Sequence, residues 1–253
     1  EAQPGETIWQ AAARHGTDIP HLCYRDSDGY RADGNCRACM VEIEGERVLA
    51  ASCIRTPTEG MVVHSENHRA RTARKMVMEL LVADQPSRDT AHDPDSELWR
   101  YAETQDVDAA RFPAKASPAP DSSHPAIAVN MDACIQCNLC VRACREVQVN
   151  DVIGLAGRGA DAHIVFDFGD DMGASTCVGC GECVQACPTG ALMPKTLLDD
   201  SQALAITPDR QVDSVCPYCG VGCQLTFSVK DDKIVSVSGR QGPANAGRLC
   251  VKG

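Results

Sequence analysis

Sixteen cysteines dominate the chemistry available to this chain of 253 residues. They form four groups of four, with none left over. The groups are Cys23, Cys36, Cys39 and Cys53; Cys134, Cys137, Cys140 and Cys144; Cys177, Cys180, Cys183 and Cys187; and Cys216, Cys219, Cys223 and Cys250. Four thiolates are the usual ligand set of one iron-sulfur cluster. The pattern therefore predicts four clusters and, with them, a path for electrons.

Disulfide bonds and zinc are the alternative uses of so many cysteines. Repeated C-x2-C spacings favour metal over disulfide, and the wide outer spacings of the first group suit zinc poorly. The formal net charge is -11, whereas nucleic-acid binders carry clusters of basic residues. Nucleic-acid binding is therefore not expected. Because no stretch approaches the ~20 apolar residues of a membrane span and no secretory pattern opens the chain, we expect a soluble, cytoplasmic protein.

The second and third groups repeat the same spacing, C-x2-C-x2-C-x3-C, which indicates an internal duplication. In bacterial ferredoxin runs of this type, the fourth cysteine ligates the other cluster. Two 4Fe-4S clusters with exchanged ligands are therefore predicted. One uses Cys134, Cys137, Cys140 and Cys187, and the other uses Cys144, Cys177, Cys180 and Cys183.

Local patterns predict the elements that position these groups. Thr7 and Gln10 form a capping-box sequence that opens a short helix, and Gly16 is its natural stop. Residues 40–45 alternate as a strand that runs into a turn. Residues 224–229 and 234–238 alternate on either side of a short polar turn, as in a β-hairpin.

Residues 65–126 are predicted to form a helix followed by a linker. Ser65 is a candidate cap for a long helix whose apolar side holds Met76, Leu80 and Leu81. Its basic face, which includes Arg74, is expected to be solvated. Residues 113–125 are rich in Pro, Ala and Ser, which is typical of an extended linker.

The first cysteine group carries a family resemblance. Residues 19–24 (IPHLCY), 34–42 (GNCRACMVE) and 51–53 (ASC) resemble the 2Fe-2S domain shared by respiratory complex I, bidirectional hydrogenases and NAD-linked formate dehydrogenases. The resemblance implies a β-grasp, ferredoxin-like fold that lacks its first hairpin here. It also implies a 2Fe-2S cluster on the four cysteines of this group.

Those families place one more cluster on a motif of one histidine and three cysteines. In this sequence the corresponding positions are Gln85, Asp89, His92 and Leu98. Because none of the required cysteines is present, we expect no metal in this region. His92 stands among acidic residues and is expected to be a surface histidine.

The last group carries the most informative resemblance for function. CPYCGVGC at residues 216–223 and LCVKG at residues 249–253 resemble the N-terminal 4Fe-4S domain of molybdopterin oxidoreductases, above all formate dehydrogenases. The resemblance implies a third 4Fe-4S cluster and places Lys252 between it and the nearer pterin. A bis-molybdopterin guanine dinucleotide with Mo or W would bind after Gly253, so this segment is expected to hold no catalytic residue.

The predicted architecture is an α+β chain of several modules. They are a 2Fe-2S β-grasp domain (residues 1–64), a helix and linker without cluster ligands (65–126), a two-cluster bacterial-ferredoxin domain (127–199) and a small β 4Fe-4S domain (200–253). Both ends are expected to be cut from a longer protein, because the chain opens without methionine and stops soon after Cys250.

The resemblances imply an electron relay in an NAD-linked formate dehydrogenase. Its partners would be a diaphorase subunit with FMN that binds NAD and the chain's own downstream catalytic domain, with no nucleic acid and no membrane span. One alternative is a relay subunit of a bidirectional hydrogenase or complex I, disfavoured by the missing histidine-cysteine motif and by the pterin-type final group. Another is a different pterin enzyme such as nitrate reductase, disfavoured by the 2Fe-2S module.

Overall fold

The computed structural model describes residues 2–116, 118–198, 204 and 207–253. Small helices and small antiparallel sheets alternate along the chain, as the predicted α+β class requires. The predicted boundary between residues 199 and 200 lies outside the described residues. Within the described ranges, no helix is long and apolar enough to cross a membrane.

The first module is a short helix on a three-stranded sheet. Helix α1 (Ile8–Arg14) begins at Thr7, and reciprocal bonds between Thr7 and Gln10 complete the predicted capping box. Strand β1 (Met40–Ile43) pairs with β2 (Ala50–Ala51) and β3 (Val63–His64) in the order β2-β1-β3. Apolar side chains from the helix and β1 pack around two of the cysteines, Cys39 and Cys53. A β-grasp fold remains a prediction.

Helix α2 (His68–Ala83) differs from its prediction at its start and on its buried face. Its N-cap is Asn67, whose side chain accepts a 3.0 Å bond from the Ala70 N–H, rather than Ser65. Its fully buried residues include Ala70, Arg74 and Met78, at four-residue steps, whereas the predicted apolar residues Met76 and Leu80 are 39% and 50% exposed.

Arg74 therefore does not belong to a solvated basic face, as the sequence suggested. Its guanidinium is buried and pairs with Glu66 at 2.9 Å. It also donates to the carbonyl of Met40 at 3.3 Å, which fixes the helix against β1. The sequence could not show this contact, because an arginine is expected to be exposed unless its tertiary partners are known.

The second and third cysteine groups share one module built from paired elements. Strands β4 (Ile127–Val129) and β7 (Leu192–Pro194) pair with each other, as do β5 (Ile153–Ala156) and β6 (His163–Phe166). Helices α4 (Leu139–Arg142) and α5 (Glu182–Ala186) occupy equivalent places in the two runs and pack together. A π-helical turn, Ala143–Val147, extends α4. Helix α3 (Glu97–Thr104) packs alongside, and its Leu98 N–H donates to the Pro188 carbonyl at 3.1 Å.

The last module is a three-stranded antiparallel sheet in the order β10-β9-β8. Strands β9 (Gln224–Lys230) and β10 (Lys233–Gly239) form the predicted hairpin. Asp231 and Asp232 turn the chain with φ of 49° and 57°, as a two-residue type I′ turn requires. Strand β8 (Arg210–Val215) was not predicted, because nearly all of its residues are exposed and it has no apolar alternation.

Candidate metal centres

The first group brings four buried sulfurs together in one loop-and-strand cluster. Cys39 and Cys53 Sγ atoms lie 3.4 Å apart, and the backbone N–H of Cys36 donates to Cys23 Sγ at 3.4 Å. Hydrogen bonds from the Cys36 and Cys53 thiols lower the pKa of Cys23, and the same contact raises the pKa of Cys53. Soft thiolate donors enclosed in this way fit a 2Fe-2S core.

A small cavity lies where the second group meets the last cysteine of the third. Its lining sulfurs belong to Cys134, Cys137, Cys140 and Cys187. Apolar side chains such as Ile164 and Leu192 form most of the remaining wall. Four thiols around an apolar cavity form a donor set that fits a 4Fe-4S cluster.

A second small cavity lies where the third group meets the last cysteine of the second. Its sulfurs belong to Cys144, Cys177, Cys180 and Cys183. The fourth cysteine of each run therefore lines the cavity of the other run, because α4 and α5 pack together. The structure groups these cysteines as the spacing suggested, and cluster ligation by the two sets remains a proposal.

Backbone N–H groups surround the sulfurs of both cavities. Cys134 accepts from Gln136, Cys144 from Val152 and Cys177 from Gly179, at 3.4, 3.3 and 3.4 Å. These donors stabilise thiolate, whereas burial favours the neutral thiol and raises the pKa of Cys134 to about 11. Binding of iron would displace the thiol protons, and the N–H donors would then raise the reduction potential of the site.

The fourth group is more open. The backbone N–H of Cys216 donates to the carbonyl of Cys223 at 2.8 Å, and a Cβ added at Gly253 would lie 3.5 Å from Cys216 Sγ. The segment that carries Cys250 therefore passes beside the first turn of this group. Cys219 and Cys250 are exposed, and backbone N–H groups of Gly253 and Lys252 lower the pKa of Cys250.

Lys252 itself is exposed on the described surface. Its side chain is free to face a further domain, and its role toward a pterin stays a prediction. Among the residues that the structure describes, no three His, Cys, Asp or Glu side chains converge closely enough to hold a single metal ion.

The four positions of the missing histidine-cysteine motif are not brought together. Leu98 is fully buried in the apolar core, and Asp89 is exposed. The expectation of a surface His92 is wrong, since this residue is only 8% exposed and its Nε2 lies 2.9 Å from Asp132 Oδ1. The sequence shows acidic neighbours around His92, but its carboxylate partner, Asp132, lies 40 residues away and was not predicted.

Several residues that join the modules carry no motif in the sequence. The buried Arg142 contacts both the first group and the first cavity, and Arg25 donates to the carbonyl of Ala186 at 3.2 Å. Tyr30 donates to Glu182 at 2.8 Å, and Arg248 of the last module reaches the same carboxylate at 3.3 Å. Local sequence gives no signal for these contacts, because the partners lie far apart in the chain.

Three families of iron-sulfur domains match this chain. Residues 1–68 match the 2Fe-2S iron-sulfur cluster binding domain, residues 133–191 match the 4Fe-4S dicluster domain, and residues 209–253 match the molybdopterin oxidoreductase Fe4S4 domain. Iron-sulfur domains therefore make up most of this chain. Together they include every one of the four cysteine groups.

The relatives of this chain are oxidoreductases or their subunits. A subunit of the NADH-quinone oxidoreductase of Rhizobium meliloti is 32% identical over 100% of this chain. A putative formate dehydrogenase of Staphylococcus haemolyticus is 24% identical over 99% of it. The chain spans 29% of the length of each of these curated relatives. A crystal structure of an NAD⁺-reducing NiFe-hydrogenase matches with a TM-score of 0.68 and 28% identity, over 77% of this chain and 83% of the other.

Proposed function

We propose that this chain is the electron relay of an NAD-linked formate dehydrogenase. It would carry electrons between a molybdenum or tungsten bis-pterin site in its own downstream domain and a subunit with FMN that reduces NAD. The observation that carries the proposal is the contact of all four candidate sites in one row. The relay could run in either direction, since electron transfer through fixed sites is reversible.

The row begins at the 2Fe-2S loop. Arg142, on the helix of the first cavity, donates to the carbonyl of Cys23 at 2.6 Å, so the two sites share a contact. The two cavities are joined by their exchanged ligands, Cys144 and Cys187. In the last module Val251, next to Cys250, lies against Gly179 and Gly181 of the second cavity.

The row needs no additional cluster at residues 85–98. The 2Fe-2S loop packs directly on the dicluster module, and Leu98 and Trp99 of the region between them are buried apolar residues. When bound, the clusters would supply one-electron chemistry. The protein's part is to hold sixteen thiols at fixed places, exclude water around the buried ones and donate N–H groups to the sulfurs.

Support for the pterin end of the relay comes from the last module. Residues 209–253 match a domain family named for molybdopterin oxidoreductases, and the module ends with Lys252 exposed where a following domain can cover it. A putative formate dehydrogenase is similar to this chain over 99% of its length. These observations favour formate as substrate of the whole protein.

A relay subunit of an NADH-quinone oxidoreductase or an NAD⁺-reducing hydrogenase is the second candidate. It is favoured by the 32% identity to the Rhizobium meliloti relative and by the hydrogenase match with a TM-score of 0.68. The absence of the histidine-cysteine ligands at Gln85, Asp89, His92 and Leu98 weighs against it in the sequence.

The full-length protein, purified anaerobically with its NAD-binding partner, tests the proposal. We expect formate-dependent reduction of NAD⁺, about one Mo or W per chain and reduction of the iron-sulfur centres by formate. Hydrogen or NADH in place of formate separates the candidates. Reduction of the centres by NADH or hydrogen without any Mo or W would support the second candidate and contradict the formate assignment.

A further inference from the structure

Arg142 lies at the contact between the first cysteine group and the first cavity. Its side chain is 1% exposed, and one nitrogen, Nη2, faces two ligand loops. That nitrogen donates to the carbonyl of Cys23 at 2.6 Å and to the carbonyl of Cys137 at 3.4 Å. The other nitrogen, Nη1, pairs with Asp33 in the loop between Cys23 and Cys36.

Stability alone explains this arrangement poorly. A buried ion pair often contributes nothing over an apolar pair of the same size, because both charges lose their hydration. The Arg142 Nε is buried and has no hydrogen-bond partner among the described residues, which adds a further cost. Asp33 already has a second partner, since the exposed Arg31 pairs with it at 2.7 Å.

We propose that Arg142 is a positioning residue for electron transfer between the 2Fe-2S site and the cluster of Cys134, Cys137, Cys140 and Cys187. The inference rests on the proposed relay function. One guanidinium fixes the separation of the two ligand loops and provides a hydrogen-bonded route from Cys23 to Cys137. In each transfer one cluster is oxidised and the other is reduced by a single electron, and Arg142 itself remains unchanged.

The charge of Arg142 has a second consequence. In the dry contact between the two clusters, the Arg142 guanidinium offsets the Asp33 carboxylate, which would otherwise disfavour the reduced, more negative form of each cluster. Its removal should therefore lower the midpoint potentials of both clusters together. A residue that only supports the fold would change cluster content or stability and would leave these potentials unchanged.

The test uses the full-length protein with its clusters, purified anaerobically. Redox titration followed by EPR measures the midpoint potentials, and the relaxation of the reduced 2Fe-2S signal reports its coupling to the neighbouring cluster. Arg142→Met should lower both potentials and weaken the coupling. Arg142→Lys keeps the charge but loses the planar fork, so the potentials should stay near those of the wild type while the coupling weakens.

Arg31→Met is the matched control, because it removes an arginine from the same carboxylate at a side chain that is 67% exposed. It should change neither readout. If Arg142→Met fails to assemble, Arg142→Met with Asp33→Asn removes the carboxylate left unpaired. The coupling should still weaken in this double variant, while the potentials change less because one charge of each sign is removed. Unchanged potentials and coupling in assembled Arg142 variants would overturn the inference about Arg142. Wild-type protein that contains no iron and sulfide would instead contradict the proposed relay function.

Discussion

The side-chain amide of Gln185 forms two hydrogen bonds with the backbone of Leu249. Its Nε2 donates to the Leu249 carbonyl and its Oε1 accepts from the Leu249 N–H, both at 2.9 Å. Gln185 lies on α5 between Cys183 and Cys187, and Leu249 directly precedes Cys250. This pair therefore aligns the last cysteine module with the second cavity.

Gln185→Ala should loosen the last module, because both hydrogen bonds disappear together. Two neutral bonds contribute about 1–2 kcal/mol at an exposed contact such as this one. Hydrogen exchange should show earlier loss of protection at Leu249, with the core of α2 unchanged. Gln211→Ala, at an exposed position on β8, is the matched control. Equal protection of Leu249 in wild type and Gln185→Ala would contradict the prediction.

Exchange of ligands predicts that substitution of the fourth cysteine of one run damages the cluster whose other three ligands lie in the other run. Cys144→Ala should impair the site of Cys177, Cys180 and Cys183, whose cavity Cys144 lines, and should spare the site that begins at Cys134. EPR and Mössbauer spectra of the variant measure which cluster is altered. The reciprocal variant, Cys187→Ala, should alter the other one. Damage to the cluster beside Cys134 in the Cys144 variant would show that both sets are misassigned.

Iron and sulfide content tests the nature of all four sites at once. One 2Fe-2S and three 4Fe-4S clusters require about 14 iron and 14 inorganic sulfide per chain of this length. Anaerobic metal analysis and sulfide determination measure both. A content near four zinc, without sulfide, would be incompatible with the cluster assignment.

His92→Ala should leave the iron content unchanged, because His92 pairs with Asp132 and not with a metal. Loss of its 2.9 Å bond should lower the free energy of unfolding by about 1–3 kcal/mol. Iron analysis and thermal unfolding measure the two effects. His68→Ala, at the exposed start of α2, is the control and should change neither. A loss of four iron in His92→Ala would reveal a ligand at this position.

Lys252→Ala should impair the pterin end of the relay in the full-length enzyme and leave the flavin end active. The variant should suppress NAD⁺ reduction driven by formate, because the expected contact between the last cluster and the nearer pterin loses its hydrogen-bond donor and its positive charge. Dye reduction driven by NADH at the flavin end should remain intact. Equal loss of both activities, or loss of neither, would remove Lys252 from the relay.

The sequence by itself showed the four groups of cysteines and predicted part of the local structure around them. The cysteine spacing is recognised without tertiary information, because each C-x2-C run places its donors close together along the chain. The Thr7 capping box and the hairpin around Asp231 also depend on neighbouring residues only. The capping box and the hairpin agree with the structure, since their interactions form within a few residues of each other.

Tertiary structure alone decided how the modules contact one another and which polar residues are buried. Arg74, His92 and Arg142 are charged or polar in sequence, yet each is buried beside a partner that no local pattern identifies. The apolar face of α2 was predicted wrongly for the same reason, because β1 and α3 select which helix positions are covered. Burial of a polar side chain depends on partners from distant segments. The contacts between candidate sites could therefore be identified only from the tertiary structure.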